Sequence, residues 1–130
     1  MRAIVLISIL TTGWAYAQYA PAANVAGTEA IHKDSSIIVN WASRVVSFQR
    51  GPQDIAIGSP LASFGDSTQA LGYAEGTSVD IVSLGDAGEI TLEFPYPIMN
   101  GPGPDFAVFE NSFSHDYLEF AHVEVSTDGI

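Results

Sequence analysis

The residues best suited to chemistry are carboxylates at the two ends of a short apolar run. Residues 99–113 read MNGPGPDFAVFENSF. Asp105 follows two Gly-Pro steps, and Glu110 and Asn111 close the run. Calcium takes six to eight oxygens from carboxylates, amides and backbone carbonyls, so these side chains are candidate ligands. Spacing limits how they combine. Five residues of extended chain put Asp105 and Glu110 roughly 16 Å apart, too far to share one ion. A site at either end needs other loops. Glu75, Asp80 and Asp86 are candidates for one end, and Asp116 and Asp128 for the other. The same residues carry simpler readings. Asp105 suits a turn that accepts from its own backbone. Glu110 suits a carboxylate paired with a backbone N–H or with Arg44. Asn111 suits a left-handed turn position.

Other chemistries find less support. The prolines of GPGPDF remove the N–H donors that a phosphate cradle needs. No EF-hand loop and no G-x-S-x-G elbow occurs. Glu110 and Glu119 could act as an acid–base pair in glycoside hydrolysis, but nothing in their spacing selects them. His32, His115 and His122 are scattered, and His122 with Glu124 at i, i+2 reads as a solvated strand face. No cysteine is present, which excludes thiolate catalysis, zinc–thiolate sites and disulfides. The expectation is a non-enzyme, with a hydrolase as the lesser alternative. For ligand binding, aromatic rings that stack on sugar faces are the residues to seek. Tyr73 and Tyr117, in Gly- or acid-rich loops, are the best placed, whereas Trp41 in IIVNWAS reads as core.

The elements that must position these side chains fit one domain of 130 residues. Met1-Arg2, the apolar stretch AIVLISIL and the Ala15-Tyr16-Ala17 cleavage pattern make residues 1–17 a signal peptide. The expectation is therefore a secreted chain, extracellular or at the cell surface, with no membrane insertion after cleavage. Residues 18–35 form an extended leader, and residues 36–130 form the domain. Net charge is −11, from fifteen acids and four Lys or Arg. That disfavours nucleic acid and anionic lipid surfaces. Short runs rich in β-branched and aromatic residues suggest strands at 36–42, 44–50, 54–58, 79–85, 88–94, 105–111 and 119–129. The clearest is GEITLEF, where Ile90, Leu92 and Phe94 alternate with polar residues. Residues 105–111 are apolar on both faces and suggest a central strand. No window shows an amphipathic helix beyond the signal. The pattern predicts an all-β fold, an antiparallel β-sandwich of jelly-roll type. It also looks incomplete at the C-terminus, because the Asp128-Gly129 turn has no returning strand. The chain is then a fragment of a longer surface protein.

The blocks ALGYAEG, VSLGDAGEITLEF, PIMNGPGPDFAVFENSF and AHVEVSTDG resemble a family of exported bacterial cell-surface proteins. Their domain is similar to the galactose-binding-like jelly roll of discoidin domains and carbohydrate-binding modules. The resemblance covers roughly residues 30–129. It implies a binding or structural module that holds a structural calcium and binds sugars through end loops. In the loop where the family reads Gly-x-Pro-Asp-Gly, this chain has Gly72-Tyr73-Ala74-Glu75-Gly76. The reading is a secreted, non-catalytic, carbohydrate-binding module with structural calcium. The alternative is a structural or adhesive fragment of a larger surface protein.

Overall fold

In the computed structural model, residues 25–111, 119 and 121–127 are described. The expected signal peptide at 1–17, Asp116, Tyr117 and Asp128 lie outside them. The chain divides into two units, Met1–Ala30 and Ile31–Ile130. Of the first, the described residues hold a turn in which Thr28 N donates to Val25 O at 3.0 Å.

The second unit contains one two-stranded antiparallel sheet, β1 (Arg44–Gln49) with β2 (Glu89–Glu93). Both segments alternate in the way that suits a half-covered ribbon. Phe48 sits opposite Ile90, Val45 opposite Leu92, and Arg44 opposite Glu93, whose side chains also form an ion pair. The register slips between Val45 and Ser47, leaving Val46 as the extra residue of a bulge.

A long excursion follows β1 and returns on itself. Pro52 bridges Leu61, Gln53 N donates to Pro60 O, and Ala62 N donates to Gly51 O. Arg50 ties its base by donating to Ala62 O and Gly65 O. The segment before β2 clasps this base. Gly51 N donates to Leu84 O, Asp86 N to Pro52 O and Ser83 N to Phe64 O. The backbones meet so closely that a Cβ on Gly51 would lie 1.8 Å from Asp86 O, so only glycine fits. Ala42 and Ala62 are the buried hydrophobic residues among those described, at 8% and 5% exposure.

A 3₁₀ turn, Ser67–Ala70, lies between the runs 54–58 and 79–85. Asp66 caps it, accepting from Thr68 N at 2.9 Å and from the Thr68 hydroxyl at 2.7 Å. Those two bonds hold the Asp66 carboxyl below its ordinary range.

The expected β-sandwich of jelly-roll type is not what the chain forms. Among the described residues there is a single sheet of two strands, and nothing packs a second sheet on it. Residues 44–50 and 88–94 carry strands close to the expected bounds, but 36–42, 54–58, 79–85 and 105–111 do not. Of 119–129, residues 119 and 121–127 are described and carry no strand. The physical reason lies in pairing. Alternation makes a segment able to pair, but a strand exists only where a neighbour supplies donors and acceptors. Pro95, Pro97, Pro102 and Pro104 bring no N–H to such a ladder, and they stand directly before the 105–111 run. Phe106, Val108 and Phe109 accordingly remain exposed instead of lying between two layers. No helix among the described residues is long and apolar enough to cross a membrane.

Candidate functional site

Trp41 stands three residues before β1, next to buried Ala42. Gly72 N donates to Ala42 O at 2.9 Å, which fixes the 72–76 loop beside the indole. Tyr73 then meets Trp41 edge to face, with ring centroids 5.5 Å apart and planes at 71°. From the other direction Phe109 tilts against the same indole at 5.5 Å and 38°. Asn111, two residues on, donates its side-chain N–H to Thr77 O at 3.1 Å. Segment 109–111 is thus tied to the far end of the loop that carries Tyr73. Trp41 is half-buried, while Tyr73 and Phe109 keep 41% and 38% of their surface. Three rings with that exposure form an apolar face with its edges set by packing.

A polar set borders this face. A turn places His32, Lys33 and Asp34 together, with Ser35 N donating to His32 O at 2.9 Å. Lys33 Nζ donates to the Tyr73 hydroxyl, and at 4.5 Å from the ring centroid it lies off the hydroxyl edge of the ring and not over its face. The Tyr73 hydroxyl donates to Asp34 Oδ1, which also accepts from Lys33 at 3.2 Å. Asp34 Oδ2 lies 3.5 Å from His32 Nδ1, and that nitrogen accepts the backbone N–H of Asp34 at 3.2 Å. The Tyr73 hydroxyl first, and Lys33 next, hold the Asp34 carboxyl below its ordinary 3.8. The same hydroxyl, followed by Asp34, raises the Lys33 ammonium above 10.5. Gly76 accommodates the lysine stem. Its φ is +71°, and a Cβ there would lie 3.2 Å from Lys33 Cε.

The calcium candidates are dispersed. Asp105 Oδ1 accepts Gly101 N at 2.8 Å, a local turn. Asp86 Oδ2 accepts Ile55 N at 2.9 Å and joins two loops. Glu75 is exposed on the Tyr73 loop. Asn111 is engaged through its amide N–H. Among the described residues no three His, Asp or Glu side chains come together to hold a metal ion. Glu110 lies near a hollow of about 520 Å³ lined by Phe64, Ser78, Val79, Ile81, Ser83, Asn111 and Glu119. Desolvation, and then the charge of Glu119, push the Glu110 carboxyl above its ordinary 4.5.

Of the two tyrosines expected to bind ligand, Tyr73 packs against the Trp41 indole as one of the three rings, and Tyr117 lies outside the described residues. Lys33, Asp34 and Phe109 are the partners that sequence reasoning missed, and Trp41, read there as core, is the half-buried ring against which Tyr73 and Phe109 pack. A signal for the first two exists in hindsight. The His-Lys-Asp triplet is the densest cluster of charge in an otherwise weakly charged leader. Comparison of the chain with family models, with curated proteins and with solved structures finds no match in any of the three.

Proposed function

We propose that this chain is a secreted, non-catalytic binding module of the cell surface that holds carbohydrate against the Trp41–Tyr73–Phe109 face. The observation that supports this reading is Tyr73 itself. Its ring is braced by Trp41 and its hydroxyl by Lys33 and Asp34, yet 41% of the residue remains exposed. A braced, half-open aromatic ring loses little freedom when a pyranose stacks on it, so contact area converts to affinity at low entropic cost.

The test is a glycan array followed by titration calorimetry on the 130-residue chain. Tyr73→Ala is expected to weaken binding at least fivefold, consistent with an aromatic stack worth about 1 kcal/mol. Tyr73→Phe keeps the ring and controls for folding. Binding that survives both Tyr73→Ala and Trp41→Ala unchanged would overturn the assignment of the face.

A structural or adhesive role is the second reading. Silence across the array, with the aromatic circular-dichroism signal of the Trp41–Tyr73 pair intact, would favour this second reading.

A further inference from the structure

Resting on the carbohydrate reading, we infer that the site selects neutral glycans presenting adjacent hydroxyls, and that Asp34 is the residue that captures them. The polar network around Tyr73 is closed on one side. The Tyr73 hydroxyl accepts from Lys33 and donates to Asp34, so it has no donor left for a ligand. Lys33 is used two ways, on the Tyr73 hydroxyl and on Asp34 Oδ1. Its side chain is 28% exposed, and its charge is already matched by a carboxylate.

Asp34 differs from both. It engages Tyr73 and Lys33 through Oδ1, whereas Oδ2 has His32 alongside at 3.5 Å, and the side chain remains 57% exposed. An ionised carboxylate is acceptor-only, with lone pairs left on each oxygen. It asks for donors, and two neighbouring sugar hydroxyls supply them as charge-assisted bonds. The adjoining Tyr73 ring offers the flat contact for the apolar face of the same ring system.

Charge points to the same class. A uronate or sulfate set on Tyr73 would bring its anion against Asp34, and no cation of the cluster is unmatched to receive it. The chain as a whole carries −11, so approach of a polyanion is opposed at long range as well. Neutral hexose oligomers meet neither obstacle.

The experiment is calorimetry of the whole chain with matched probes at 150 mM NaCl: cellohexaose and galactohexaose as neutral ligands, hexagalacturonate as the acidic one. The neutral probes are expected to bind at least tenfold tighter. Asp34→Asn is expected to weaken neutral binding about tenfold and to narrow the discrimination against the uronate. Asp34→Ala, with the melting temperature as a folding control, should do the same. Hexagalacturonate that binds as tightly as the neutral probes, in a Tyr73-dependent way, would overturn this inference and leave the aromatic site standing. Absence of any Tyr73-dependent binding in the wider glycan array would instead remove the carbohydrate reading on which it rests.

Discussion

At the scale of single residues, the chain concentrates its polar chemistry where three side chains share one hydroxyl. Tyr73 reaches Asp34 across 39 positions of sequence and Lys33 across 40. That separation explains what was legible. An exposed tyrosine in a glycine-bounded loop announces itself, but the carboxylate that bonds it cannot be read from spacing. The Asp34 carboxyl is held below 3.8, so it binds fewer protons folded than unfolded. Its contribution to stability is present above pH 3.8 and is lost as pH falls below that value. Tyr73→Phe removes the first cause of the depression. The variant is therefore expected to lose less melting temperature than the wild type between pH 5 and pH 3. Glu110 behaves in the opposite sense. Its carboxyl is raised above 4.5, so the folded chain binds more protons, and stability falls as pH rises through and above 4.5. Glu110→Gln is expected to stabilise the chain at pH 7 by about 0.5 kcal/mol, the scale of a solvent-screened charge. At pH 4 it should change little. A melting temperature lowered at pH 7 would contradict the assignment.

At the scale of elements, two of the seven expected segments carry strands among the described residues, and the reason is visible in their register. Residues 44–49 and 89–93 each carry an apolar residue opposite an apolar one, and Arg44 opposite Glu93. Each therefore finds in the other a partner of matching pattern. The run 105–111 has a comparable alternation but a proline-rich approach and no partner among the described residues. The turn before β2 holds a second lesson. In Ser83-Leu84-Gly85-Asp86-Ala87-Gly88, Gly88 N donates to Gly85 O at 3.0 Å, and Ala87 is forced to φ +56°. A left-handed alanine costs roughly 1–2 kcal/mol. Replacing it with glycine forfeits roughly 0.4–1 kcal/mol through the greater freedom of the unfolded chain. Ala87→Gly is thus expected to stabilise by about 0.5 kcal/mol in urea unfolding. A destabilisation would show that the Ala87 methyl contributes contacts that outweigh its backbone strain. A break between the runs 79–85 and 88–94 was legible, but which residue carries the strain was not, since several backbones satisfy the same sequence.

At the scale of the whole molecule, charge is the quantity the sequence states most directly, and its consequence can be measured. Fifteen acids face four Lys or Arg. Among the described cations, Arg44 is paired with Glu93, Lys33 with Asp34, and Arg50 donates to two backbone carbonyls. The remaining carboxylates repel one another. In water a pair of like charges 10 Å apart costs roughly 0.4 kcal/mol, and many such pairs add. Opposing them is little buried apolar surface, because the buried hydrophobic residues among those described are two alanines. Repulsion therefore takes a large share of a small stability. The Debye length falls from about 30 Å at 0.01 M salt to about 3 Å at 1 M, which removes most interactions between exposed charges. Raising NaCl from 10 mM to 1 M is accordingly expected to raise the melting temperature by several degrees. KCl and choline chloride should act alike, since screening depends on ionic strength and not on the identity of the cation. Sodium sulfate should do more at equal ionic strength, because it also strengthens apolar burial. A melting temperature that stays level or falls with chloride salts would mean that the ion pairs at Glu93 and Asp34 outweigh the repulsion, and that the acidic surplus is carried without cost to the fold.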